Sequence, residues 1–192
     1  MQKLIILSMM LFSALFANAQ SGYEKSIELG GAVAIDNFTK YSFEIDMING
    51  YRFNDLFSIG IGIGFRYTEA LYYESHTLGY YYKSYDGKYL IPCYSRIKAS
   101  LSNAKVSPFF LINIGGTLDV GKNPYKNTHG LMVEPAFGVD FRQDNNTGYY
   151  FLVGFNLQNS EHEYFGSASS SYKRERITGM AQSLSLRIGF IF

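Results

Sequence analysis

The stretch Phe57-Ser58-Ile59-Gly60-Ile61-Gly62-Ile63-Gly64-Phe65-Arg66-Tyr67 decides the fold class. In an extended chain Phe57, Ile59, Ile61, Ile63, Phe65 and Tyr67 share one face, and Ser58, Gly60, Gly62, Gly64 and Arg66 share the other. Successive side chains point to opposite faces in a β-strand, so a period of two is a strand signal. An unbroken apolar face of this length exceeds the ordinary strand of a globular protein.

Seven further segments keep the rule. Residues 26–35 oppose Ile27, Leu29, Val33 and Ile35 to Glu28, Gly30, Ala32 and Ala34. Residues 41–53 oppose Tyr41, Phe43, Ile45, Met47, Tyr51 and Phe53 to Ser42, Glu44, Asp46, Gly50 and Arg52, with Asn49 the one polar residue on the apolar face. On the mixed face, residues 89–101 carry Tyr94, Arg96 and Lys98, residues 106–120 carry Asn113, Thr117 and Asp119, and residues 130–141 carry Glu134 and Asp140. Residues 149–157 and 183–192 complete the set, the last with Arg187 opposed to Leu184, Leu186, Ile188, Phe190 and Phe192. A chain of 192 residues holds these eight strands as one domain.

The connections alternate in length. Asn54-Asp55, Ser102-Asn103-Ala104 and the stretch from Gln143 to Gly148 are rich in residues that favour tight reversals. Longer, more polar or tyrosine-rich links run at 68–87, 121–128 and 158–176, while the first, Asp36 to Lys40, is short. Short turns at one end and mostly long loops at the other are the pattern of membrane barrels.

Alternation alone leaves open whether the apolar face lines a core, as in a lipocalin-like soluble barrel, or meets lipid. The mixed face argues for lipid. It is dominated by Gly, Ser and Ala with one or two charges per strand, whereas a soluble surface carries about a quarter to a third charged residues. Small residues suit the interior of a narrow barrel, where each bulky side chain needs space on the next strand. The charges on this face are Glu28, Glu44, Asp46, Asp119, Glu134 and Asp140 against Arg52, Arg66, Arg96, Lys98 and Arg187. Near-equality is what a closed interior requires, because a buried charge is tolerable only when paired and hydrogen-bonded.

The expected fold is therefore all-β: an eight-stranded antiparallel up-and-down transmembrane β-barrel. Its lumen should be filled by this charge network with Tyr94, Phe109 and Tyr150, and should not conduct. Tyr41, Tyr51, Tyr67, Tyr89 and Tyr149, near strand ends, read as interfacial girdles. Serine at lumen-facing Gly62 should perturb the barrel far less than arginine at lipid-facing Ile61.

The first residues need separate treatment. Lys3 gives a basic start, Leu4 to Phe16 is almost wholly apolar, and Ala17-Asn18-Ala19 supplies a small-x-small cleavage pattern. Residues 1–19 read as a secretory signal peptide, too short for a retained membrane anchor, leaving 20–192 as the barrel. Without Lys3 the chain carries 16 Lys and Arg (17 less one) against 16 Asp and Glu. No basic excess exists for a nucleic-acid partner. The one cysteine, Cys93, permits no internal disulfide. Tyr (17) and Phe (16) are abundant enough to furnish girdles without Trp, which is absent.

The chain resembles the small OmpA/OmpX-like outer-membrane barrels, and most closely the "outer membrane protein beta-barrel domain" proteins of Bacteroidetes. Asn49-Gly50-Tyr51-Arg52-Phe53-Asn54 with Phe57 to Gly64 looks like their second hairpin, and Val106-Ser107-Pro108-Phe109 like the start of their fifth strand. Arg187-Ile188-Gly189-Phe190-Ile191-Phe192 resembles their terminal insertion signal. The resemblance implies a monomer in the outer membrane of a bacterium. Its partners would be outer-membrane lipid and the barrel assembly machinery, which reads Phe192.

Catalytic signals are few. Gly60-x-Gly62-x-Gly64 matches only part of a nucleotide-loop pattern, since Phe65 stands where glycine is required and the stretch lies within a strand. Lipid A deacylases and palmitoyl transferases resemble this architecture, but the deacylases' His-x-Ser spacing occurs at none of His76, His129 and His162. Glu161-His162-Glu163 reads as a solvated loop, because alternation separates the two carboxylates from the imidazole. Cys93 reads as a lipid-facing small hydrophobe. No catalytic, cofactor or metal site is expected. Tyr80, Tyr81, Tyr82 and Tyr85 form a candidate recognition loop for an extracellular ligand and, compatibly with that, read first as an extension of strands three and four in a stiff hairpin. The leading expectation is a non-enzymatic barrel for envelope integrity or for surface-loop binding and adhesion. A narrow porin-like channel is the alternative, and a lipid-modifying barrel enzyme a third.

Overall fold

A strand in hydrocarbon must pair every backbone N–H and C=O, and only a closed sheet does so without an edge. The computed structural model describes residues 22–35, 39–75, 81–120, 129–143, 147–168 and 171–192, with side chains for all of these except 70–75, 81–86, 129, 161–168 and 171–178. The strands are β1 (Gly22–Ala34), β2 (Thr39–Arg52), β3 (Phe57–Ser75), β4 (Tyr81–Ser100), β5 (Val106–Asp119), β6 (His129–Arg142), β7 (Gly148–Ala168) and β8 (Ser171–Ile191). Each pairs antiparallel with the next, and β8 returns to β1 from Ser26↔Ile191 through Ala34↔Ser183. The fold is the expected eight-stranded antiparallel barrel.

The reversals follow from their side chains. Between β2 and β3, Asn54 Oδ1 accepts the N–H groups of Leu56 at 2.9 Å and Phe57 at 2.7 Å, the bonds that make Asn a turn former. Between β4 and β5, Ser107 Oγ donates to the Ser102 carbonyl at 2.6 Å and accepts the Ser102 N–H at 3.2 Å. The β6–β7 reversal closes with the Gln143 N–H donating to the Thr147 carbonyl at 2.8 Å. These three tight turns share one end of the barrel, the turn end.

Parity holds around the barrel. Ile61 on the outer surface is 71% exposed and Phe43 74%, while Glu28, Asp46, Glu134 and Asp140 on the inner surface are 0% exposed. Near the turn end Tyr23 meets Tyr51 edge-on at 5.6 Å, and Phe141 stacks on Tyr149 at 5.0 Å. Towards the far end Tyr89 packs with Tyr67 at 5.5 Å and with Phe65 at 5.7 Å. Tyr41 and Tyr51 stand ten residues apart on β2. At about 3.4 Å per residue and a tilt near 40°, that distance is about 25 Å, the height of an outer-membrane barrel's apolar band.

The strand ends depart from expectation. The links anticipated at 68–87 and 158–176 are largely strand, since β3 and β4 pair as far as Ser75↔Tyr81 and β7 and β8 as far as Ala168↔Ser171. Above an apolar band both faces of a hairpin meet water, so the ladder continues while the alternation that reveals it disappears. Tyr81, Tyr82 and Tyr85 thus belong to the backbone of β4 rather than to a loop, which is the stiff-hairpin reading. Tyr80 lies outside the described residues, as do the side chains of the other three.

Candidate functional site

The lumen is the most chemically dense part of the barrel, and glycine makes room for it. Tyr94 pairs with Gly62 on β3 and Gly115 on β5, Tyr150 with Gly189 on β8, and Phe109 with Gly138 on β6. A Cβ at any of these glycines would run into the neighbouring ring or its stem. Serine at Gly62 therefore collides with Tyr94, which narrows the wide difference expected between this position and arginine at Ile61. The inward stretch of glycines in β3 is the complement of large side chains on other strands.

Among the described residues, the buried charged side chains are five carboxylates (Glu28, Glu44, Asp46, Glu134, Asp140) and six cations (Arg52, Arg66, Lys88, Arg96, Lys98, Arg187). Arg187 is their hub. Its Nη1 donates to Glu28 at 3.1 Å and to Asp46 at 3.0 Å, its Nη2 contacts Glu134, and its Nε lies 3.5 Å from Glu44. Glu28 also accepts from both Arg96 Nη groups and from the Tyr150 hydroxyl. Arg96 Nε donates to Asn113 at 2.8 Å, and Asn113 passes the chain on to Glu134 at 3.0 Å. Ser185 Oγ donates to the other Glu134 oxygen at 2.8 Å.

Towards the turn end, Lys98 donates to Asp140 at 2.8 Å, and its ammonium lies 4.2 Å from the Phe109 ring centre and 4.9 Å from that of Tyr150. Asp140 is also 3.2 Å from Arg142, and Arg52 pairs with Glu24. Around them sits an apolar cluster of Phe109, Leu111, Ala136, Tyr150, Leu152 and Ile191. Such an interior satisfies most charges by mutual hydrogen bonds, which a buried ionic network needs.

Ten of the eleven charges assigned to the lumen from sequence lie buried there. Asp119 is only half-buried, at the far end of β5. Sequence reasoning missed Glu24, Lys88 and Arg142, each one or two residues beyond the strand limits drawn from alternation. It also missed Leu111, Leu152 and Ile191, apolar residues on the inward parity. Parity, applied to those positions, is the signal that finds them.

Among the described residues no group of His, Cys, Asp and Glu is placed to hold a metal ion. Cys93 is exposed on the outer face. His76 and the side chains of His129 and Glu161-His162-Glu163 lie outside the described residues. Phe192 is 57% exposed, and its N–H donates to the Lys25 carbonyl at 3.0 Å, closing the β8–β1 seam.

No family model matches the chain, and no curated protein matches it in sequence. Among solved structures it is similar to the outer membrane protein OprG from Pseudomonas aeruginosa, with a TM-score of 0.62 at 9% identity over 91% of this chain and 98% of that one. The outer membrane protein AlkL gives 0.49 at 12% identity, covering 92% of each chain. A major outer membrane protein from Thermus thermophilus gives 0.48 at 13% identity, covering 89% of this chain and 98% of that one. At such identity the likeness to OprG is one of fold: the chain adopts the architecture of small outer-membrane barrels.

Proposed function

We propose that the protein is a non-enzymatic barrel of a bacterial outer membrane, sealed along its axis, which supports the envelope or presents its outward end for binding. The observation that carries this reading is the pairing of an apolar outer belt with a lumen closed by the Arg187 network and the Phe109–Tyr150 cluster. In this orientation the tight turns face the periplasm and the long hairpins face outward. Residues 1–19 are the export signal, the assembly machinery reads Phe192, and the barrel is monomeric in lipid. The resemblance to the Bacteroidetes barrel proteins, carried by the second hairpin and by Arg187 to Phe192, belongs to the same reading.

The hairpins support outward presentation. β3, β4, β7 and β8 run to 19, 20, 21 and 21 residues, whereas a tilted membrane strand needs only about 9–11. In the closed strand order the two long hairpins stand opposite one another. Paired backbone holds them as stiff arms, a low-entropy platform for recognition.

The test is electrical and biochemical together. Purified protein folded into lipid should show heat-modifiable gel mobility and a protected tryptic core, yet no sustained single-channel current in a planar bilayer. Steady currents would replace this reading with the narrow channel. A chain that stays soluble and monomeric without detergent would remove it from the membrane.

A further inference from the structure

The far end of the lumen differs from the packed interior below it. A cavity of about 30 Å³ lies there, room for two or three water-sized groups at roughly 10–15 Å³ each. Its walls are kept open by small residues, chiefly Ala32, Ala34, Ser42 and Ser183 on β1, β2 and β8. Four larger polar side chains also line it: Glu44, Arg66, Asn156 and Gln158.

All four are more than nine-tenths buried. Each also retains a polar atom without a hydrogen-bond partner: Glu44 Oε2, Asn156 Oδ1, Gln158 Nε2, and both Nε and Nη2 of Arg66. Elsewhere in the lumen the Arg96, Asn113, Glu134 and Ser185 side chains close their bonds on one another. Other such atoms lie elsewhere among the described residues, on Asp46, Tyr94, Thr117, Arg142 and Arg187, but at the far end five of them share one cavity. Buried donors and acceptors that line a common space mark a place able to take partners.

The chemistry of those partners follows from the inventory. Glu44 and Asn156 offer acceptors, while Arg66 and Gln158 offer donors. Arg66 Nε lies 3.5 Å from Glu44 Oε1, Glu44 Oε2 lies 3.5 Å from Arg187 Nε, and Arg66 Nη2 lies 3.9 Å from Glu134, so both charges are offset within the network and neither a lone anion nor a lone cation is favoured. A hydroxyl both donates and accepts, and two adjacent hydroxyls can bond to both sets at once within the available volume. We propose that the far end of the lumen is a binding site for the vicinal hydroxyls of a neutral polyol or saccharide. The proposal rests on the outer-membrane reading only in placing this end outward. The ligand is then a free solute or the end residue of a surface polysaccharide.

The experiment uses the full-length barrel in detergent micelles, its fold verified by heat-modifiable mobility. Side-chain amide resonances of Asn156 and Gln158 are followed during titration with glycerol, methyl α-glucoside and dextran, with propanol and acetate as controls. Glycerol and methyl α-glucoside should give saturable shifts that propanol and acetate do not. The Asn156→Ala/Gln158→Ala double variant, followed by calorimetry, should bind at least tenfold more weakly. Ala181→Leu, which fills the cavity without removing a polar atom, should abolish the shifts. Saturation by dextran as well identifies a polysaccharide end, and a response to the small ligands alone identifies a free solute. Shifts that never saturate, an equal response to propanol, or unchanged affinity in both folded variants would overturn the site. A barrel that folds but does not bind refutes this proposal and leaves the membrane reading standing, whereas a chain soluble without detergent refutes that reading itself.

Discussion

The two ends of the lumen solve the same problem in opposite ways. Towards the turn end, the Phe109 and Tyr150 rings lie over Gly138 and Gly189, and Lys98 lies against Phe109 with its ammonium on Asp140. Towards the far end, alanines and serines leave space, and Glu44, Arg66, Asn156 and Gln158 keep atoms without a hydrogen bond. An eight-stranded barrel is just wide enough for side chains to fill it. Whether it is filled is therefore a local decision, made by residue size at each inward position. Here the turn end is the more tightly filled, with a cavity of about 20 Å³ beside Lys98 and Tyr150, and the far end is a shallow cup of about 30 Å³.

The sharpest way to break the comparison is to remove the network's hub. Arg187→Ala leaves Glu28, Asp46, Glu44 and Glu134 short of a buried cation. It should lower stability by about 3–5 kcal/mol, read from urea unfolding in lipid vesicles. Arg66→Ala should cost less, because its nearest ion pairs are 3.5 and 3.9 Å long; equal losses at the two arginines would deny Arg187 its special place.

Next comes the outer surface. Ile61→Arg, at the middle of the apolar belt, should cost about 2–4 kcal/mol in lipid and little in a detergent that lets the side chain reach water. Indifference to lipid would mean that Ile61 does not face it. Smaller again is the inward neighbour. Gly62→Ser forces a shift of the Tyr94 ring and should cost about 1–3 kcal/mol. Adding Tyr94→Ala should recover part of that loss, with a coupling above roughly 0.5 kcal/mol in a double-mutant cycle. Additive effects would show that the two side chains do not meet. The smallest effect belongs to the cup, where Ser183→Ala should change stability by less than about 0.5 kcal/mol.

Much of this was legible in the sequence, and the part that was not has a physical reason. Between the girdles, a packed polar lumen on one side and lipid on the other impose a strict period of two, so β3 from Phe57 to Tyr67 could be read residue by residue. Beyond them the same chain meets water on both faces, and nothing in residues 158–168 announces that β7 continues. Parity also assigns a face but not a height. It placed Glu28 and Arg96 inside together, yet not that they would touch across the lumen, nor that Asn156 and Gln158 would share a cavity with Arg66. Leu111 and Leu152 were overlooked because an inward face that is mixed in sequence is not polar throughout; it contains the apolar rings and branches that seal the axis.

Arg187 also bears on how the barrel is built. It comes from β8, whereas its carboxylate partners come from β1, β2 and β6. Before β8 docks, those four carboxylates have only Arg66 and Arg96 among the network's guanidiniums. Around those four carboxylates a seven-stranded intermediate would thus carry a local excess of negative charge in a space that must become dry. Its seam stays hydrated and open until the last strand arrives, so completion of the chain and sealing of the lumen become one cooperative event, and a sheet lacking β8 has no dry state in which to rest.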